Sequence, residues 1–129
     1  MTKPLQLTLV LALLVLAVVG ISLLGRPEAG SDACGAANGP LHTIVITNGH
    51  PSSGTVQGNL CDRLTFVNDD HLTREIAFGP HEDHVSYDGI AERFLNYGQS
   101  FTITLNETGT YHWHDHLHDD VEGYFTVSR

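Results

Sequence analysis

The chain is poor in cations, in cysteine and in helical periodicity. Lys3 is its only lysine, and from Arg26 onward five arginines face all fifteen Asp and Glu residues. Such a segment lacks the positive charge that displaces counterions from a phosphate backbone, which excludes nucleic acid as a partner. A formal charge of -9 suits attraction of cations instead. No segment past the N-terminal region sustains a 3.6-residue hydrophobic period. No internal repeat and no nucleotide motif is visible. Ser52, Ser53 and Ser100 have no triad arrangement around them, so no catalytic residue is assigned.

Cysteine is limited to Cys34 and Cys61, and neither has a histidine close in sequence, which argues against a thiolate-liganded metal. In an oxidising compartment the two are expected to form a disulfide. The bridge would clip a linker to the domain and contribute roughly 3 kcal/mol in the chain-entropy model. The alternative for Cys34 is lipidation. "SDAC" is a poor signal for it, because Asp32 is an unsuitable neighbour and the apolar run ends ten residues earlier.

That run, "LQLTLVLALLVLAVVGISLL" (5–24), carries no charge. At 1.5 Å per residue it spans about 30 Å, the thickness of a bilayer core. Residues 1–25 are read as an uncleaved membrane anchor, with a cleaved signal segment, cut near Gly20, as the alternative. Both place the remainder outside the cytoplasm, either single-pass at the cell membrane or secreted to the periplasm. "GRPEAGSDACGAANGP" (25–40) is rich in Gly, Ala and Pro without periodicity, and residues 26–40 read as a linker. One small domain, 41–129, follows.

That domain reads as all-β. "HTIVIT", "RLTFVN", "REIAFG", "QSFTITLN", "YHWHDH" and "GYFTVSR" are strand-like and are separated by Asn-Gly, Gly-Pro and Thr-Gly turn chemistry. Their spacing indicates an antiparallel sandwich or barrel. The polar excursion "HEDHVSYDGIAERFLNYG" is expected to hold a turn of helix near 90–94.

Histidine is what the chain has in plenty, nine in all. In "YHWHDHLH" (111–118), strand parity places Tyr111, Trp113 and Asp115 on one face and His112, His114 and His116 on the other. Tyr111, Trp113, Phe66, Phe101 and Phe125 are expected in the core. Asp115 would then point inward and needs a partner. His114 and His116, two apart on a strand, aim their rings the same way, and His81 and His84, three apart in a loop, can face one point. Together they offer four neutral nitrogen donors, suited to copper or zinc. Glu82, Asp83, Asp115 and Asp119 are candidate acceptors that orient the rings. His112 is read as surface, His118 and His71 as residues that could join or replace a ligand, and His42 and His50 as surface.

"LTFVNDD" followed by "GQSFTITLNETGTYHWHDHLHDDVEGYFTV" resembles a cupredoxin domain. The shared features are a Phe-x-Asn-x-Asp strand end, a Gly-x-Ser strand start, a Gly-Thr-Tyr turn, a His-bearing loop and a Gly before a final apolar strand. The resemblance covers about 41–129. It implies a Greek-key β-sandwich of eight antiparallel strands, outside the cytoplasm, with copper at one end. A blue-copper site would take His, Cys, His and Met at positions 74, 115, 118 and 121. Here they are Arg74, Asp115, His118 and Val121. One ligand of four remains and the thiolate is missing, so blue-copper chemistry is excluded. Arg74 and Asp115 are expected to pair in its place.

The chain is more similar to a Cys-lacking bacterial group of cupredoxin-like proteins that combine a His-x-x-His loop with a His-Asp-His run. "FGPHEDHVSYDG" (His81, His84) and "WHDHL" (His114, His116) match that pattern. "GTYHWHDH" also resembles a copper-binding segment of multicopper oxidases. The expected function is a membrane-anchored, extracytoplasmic copper-binding protein with a non-blue histidine site, for copper handling or redox, with a protein partner for electrons or copper. The alternatives are a copper oxidoreductase of superoxide-dismuting type and a zinc-stabilised binding module.

Overall fold

The structure, a computed structural model, describes Cys34, Gly35 and residues 38–129. The membrane anchor or signal expected at 1–25, and most of the linker at 26–40, lie outside the described residues. Among the described residues no helix is long and apolar enough to cross a membrane.

Nine strands follow in order: β1 (Leu41–Thr47), β2 (His50–Pro51), β3 (Thr55–Asn59), β4 (Arg63–Asn68), β5 (Arg74–Phe78), β6 (Glu92–Leu95), β7 (Ser100–Thr104), β8 (Gly109–Asp115) and β9 (Glu122–Ser128). They form two sheets, ordered β2-β1-β4-β7 and β3-β9-β8-β5-β6. Period-two patterning builds the sandwich. Leu64, Phe66 and Asn68 of β4 point inward while Arg63, Thr65 and Val67 are half-covered. Ile44, Ile46, Leu64, Phe66 and Ile103 from one sheet meet Ile76, Phe78, Trp113, Phe125 and Val127 from the other. Burying each of these large side chains contributes about 1.5–3 kcal/mol. The Phe66 ring packs edge-on to Trp113 and stacks on Phe101, each at 5.3 Å. Tyr111 and Phe101 are only partly buried, against the edge of this cluster.

The all-β expectation holds, and three details of it do not. The sheets are mixed, because β1 runs parallel to β4 and β3 parallel to β9. β1 with β2, β5 with β6 and β8 with β9 pair as sequence neighbours, but elsewhere the chain crosses from one sheet to the other, and a crossover permits parallel partners. Residues 92–95 form edge strand β6 and not part of a helical turn; only Leu95 is buried there, so no alternation marks it. Strand β3 passed unassigned in the sequence because Gly58 and Asn59 weaken its pattern.

Cys34 and Cys61 form the expected disulfide, with Cα atoms 5.1 Å apart. It lies just before β4. At the far end of that strand, Asn68 donates from its side-chain amide to the carbonyls of Leu72 and Leu95. The bridge and the residues around Arg74 therefore occupy opposite ends of the domain.

Candidate metal centre

Strand β8 carries the centre of the site. Trp113 and Asp115 are fully buried on the inner face, as parity requires. His112 and His114 are on the outer face, and His116 follows directly, its N–H donating to the Glu75 carbonyl at 2.7 Å. The outer face is not open to solvent. His81 and His84, from the segment 79–91 between β5 and β6, lie against it, and His114 is only 2 % exposed.

That segment is firmly seated. Gly79 turns with φ of +85°, and a Cβ there would lie 2.9 Å from Val85 Cγ2. The Val85 N–H donates to the Phe78 carbonyl at 2.9 Å. Tyr87 inserts its ring against Phe125 and Tyr111 and is 3 % exposed. Burial drives its phenol pKa up to about 12, so it stays neutral. His81 and His84 are thereby brought to β8.

The ring centroid of His81 lies 5.4 Å from His114 and 4.3 Å from His116; that of His84 lies 5.2 Å and 4.6 Å from the same two. One nitrogen each of His81, His114 and His116 falls within 4.8 Å of the others. His84 joins through His116, with Nε2 3.1 Å from its Nδ1. Nitrogens bound to one ion at about 2.0–2.1 Å are at most about 4.2 Å apart. The His84–His116 pair meets that bound; the trio of His81, His114 and His116 lies within 4.8 Å, and His84 is not part of that trio.

His114 is the telling member. Both of its ring nitrogens are buried and have no hydrogen-bond partner among the described residues. Buried imidazole nitrogens are ordinarily satisfied, and an ion at one of these two would give that nitrogen a partner. Burial, and after it the neighbouring rings of His84, His112, His81 and His116, hold its pKa below the ordinary 6.5. The ring is neutral and ready to donate a lone pair. A set of imidazoles around such a ring fits copper or zinc.

The remaining histidines separate cleanly from this group. His112 stacks on His114 at 5.5 Å, but its Nδ1 is engaged by the Gly79 carbonyl at 2.9 Å and its Nε2 by Glu122 at 2.8 Å. It is partly buried and held at both nitrogens, where the sequence suggested plain surface. His118 turns away to Asp115, Nδ1 to Oδ2 3.0 Å. The His71 ring lies tilted against Tyr97 at 4.5 Å, and neither it nor His118 falls within the cluster. His42, also read as surface, bonds Asp62 at 2.8 Å, whereas His50 is exposed.

Of the expected orienting carboxylates, Asp119 approaches His81 Nδ1 at 3.3 Å. Asp115 serves Arg74 and His118 instead, and among the described residues no bond joins Glu82 or Asp83 to a ring. Glu92 and Glu122, which the sequence reading missed, bond His84 and His112. Their signal lies in sheet register, not in local spacing.

Arg74 and Asp115 do pair, Nη1 to Oδ2 2.9 Å, with the Arg74 side chain 2 % and that of Asp115 0 % exposed. Arg74 Nη2 also meets Asp70 at 2.6 Å. The two positions that the resemblance assigned to blue-copper ligands thus hold a buried ion pair.

No protein-family model matches the sequence, and a search of curated proteins found no match. Solved structures do match in fold. A purple cupredoxin from Nitrosopumilus maritimus shares 23% identity at a TM-score of 0.58, over 67% of this chain and 99% of that one. An amicyanin variant with Cu(I) shares 18% at a TM-score of 0.56, over 68% and 82%. A reduced amicyanin variant shares 16% at a TM-score of 0.58, over 79% and 95%. At such identities the likeness is one of fold, and the described residues form a cupredoxin-like Greek-key β-sandwich.

Proposed function

We propose that this chain is a copper-binding protein of the Cys-lacking cupredoxin-like group. Its ligands are His81, His84, His114 and His116. Residues 1–25 anchor it in the cell membrane with the domain outside the cytoplasm, where it handles copper or passes electrons to a protein partner. The observation that carries the metal reading is His114, buried, neutral and unpartnered at both nitrogens inside a ring of three other imidazoles. Copper held there would supply a one-electron couple without a thiolate. The protein's part is to present neutral nitrogens and to keep water away from His114. Carboxylates at the mouth, Asp119, Glu92 and Glu122, favour an incoming cation over an anionic substrate such as superoxide.

The test is copper loading of the full chain in detergent, followed by absorption and EPR spectroscopy. One copper per chain is expected, with a type 2 signal and no intense band near ~600 nm. Replacing His114 and His116 together with Ala should abolish stoichiometric binding. An intense blue band, or unchanged binding in the double variant, would overturn the reading. Zinc retained against copper would assign the site to the zinc-stabilised module.

A further inference from the structure

Glu92 is eight residues from His84 in sequence, and what brings the two together is the sheet. In the five-stranded sheet, Glu92 of β6 pairs with Ala77 of β5, Ala77 with His114 of β8, and His114 with Glu122 of β9. Directly paired residues share a face of the sheet, so these four form one row beneath segment 79–91. With strands about 4.8 Å apart, Glu92 and His114 stand about 10 Å from each other. Ala77, between them, projects only a methyl group.

The His84 ring spans this interval. Its Nδ1 lies 3.1 Å from Glu92 Oε2, and its Nε2 lies 3.1 Å from His116 Nδ1. An ionised carboxylate only accepts hydrogen bonds. Nδ1 must therefore carry the proton of a neutral His84, which leaves the Nε2 lone pair directed into the cluster. Asp119 at His81 is a looser counterpart. Its contact is 3.3 Å, and the two side chains are 74% and 42% exposed, on loops. Glu92 is held by the backbone ladder of β6, and the His84 side chain is 17% exposed.

We propose that Glu92 is a positioning residue for the metal centre. It fixes His84 as the Nδ1–H tautomer and so assigns Nε2 as the donor nitrogen. An imidazole whose far nitrogen is held by a carboxylate is also a more basic, better oriented ligand. The proposal rests on the metal reading above, but its first test needs no metal.

That test is 15N NMR of the histidine rings in the metal-free full chain, in wild type, Glu92→Leu and Glu92→Gln. Wild type should show His84 as Nδ1–H. Glu92→Leu should shift it toward the Nε2–H form that a free imidazole prefers. Glu92→Gln, whose amide oxygen accepts the same bond, should keep the wild-type tautomer. In copper titrations Glu92→Leu should then lose about 10–100-fold in affinity, and Glu92→Gln much less. Glu82→Leu removes the same charge nearby without a ring contact, and should leave both readouts near wild type. A wild-type His84 in the Nε2–H form, an unmoved tautomer in Glu92→Leu, or an equal loss from Glu82→Leu would each overturn the role given to Glu92. Absence of copper binding to wild type, with the tautomer pattern intact, would overturn the metal reading while Glu92 keeps its effect on His84.

Discussion

Asp115 shows how one side chain can be strongly committed inside a sandwich. Its Oδ1 accepts from the backbone N–H groups of Glu75 and Leu117, and its Oδ2 from Arg74 and His118. Arg74 divides its guanidinium between Asp115 and Asp70. Breaking a buried pair leaves an uncompensated charge, which typically costs 3–5 kcal/mol, whereas replacing both partners by apolar groups can be nearly neutral. Arg74→Met should therefore destabilise the fold by roughly 3–5 kcal/mol in urea denaturation. Adding Asp115→Asn should restore part of that loss, because it removes the unpaired charge while its amide oxygen still accepts from the Glu75 and Leu117 N–H groups. A harmless Arg74→Met would show that the buried pair does not stabilise the fold. The pairing was legible from two positions in the sequence. The contributions of Asp70 and His118 were not, because they depend on where two loops meet.

His114 carries a second expectation at this scale. Its folded pKa is lowered, while the unfolded chain should titrate near the ordinary 6.5. Between those values the unfolded state binds more protons, so metal-free stability rises with pH through that window. Above about 6.5 the contribution is level, and below the folded value the loss is complete. The urea midpoint of metal-free protein should thus drop on going from about pH 7.5 to 5.5, and His114→Gln should flatten part of the drop.

Among the elements, segment 79–91 supplies His81 and His84 of the proposed ligand set, and strand β8 with the residue after it supplies His114 and His116. Gly79 starts the segment at a φ that side chains resist, with Val85 already close. Gly79→Ala should cost about 1–3 kcal/mol and weaken copper binding by displacing His81 and His84, with thermal melts and metal titration as the checks. An unchanged affinity would mean that the segment adapts. Strands β1, β4, β7 and β9 were legible because their two faces differ in burial, and β8 because aromatic residues and histidines alternate in its sequence, although both of its faces are covered from Trp113 to Asp115. Strand β6 was not, since an edge strand with one buried residue has no period to read. The histidine pairs were visible as short motifs. Their union was not derivable from spacing alone, and Glu92 was invisible because β5 lies between it and β8 in the sheet.

For the whole molecule, the disulfide joins residues 27 apart at the end of the sandwich away from Arg74. Removing it, with both cysteines changed to Ser, should lower stability by roughly 3–4 kcal/mol in the chain-entropy model. Copper stoichiometry should be unaffected if the domain remains folded; calorimetry and metal analysis check both. The parallel pairing of β3 with β9 has a consequence in time. It joins Thr55 to Tyr124, about 70 positions along the chain, and β9 also flanks β8. Ordering so long an intervening loop is entropically costly and brings no contacts until late, so folding proceeds over milliseconds to seconds. Glu122, which holds His112 beside His114, reaches that ring only once β9 has paired with β8, so the strand that closes the longest loop also completes the surroundings of His114.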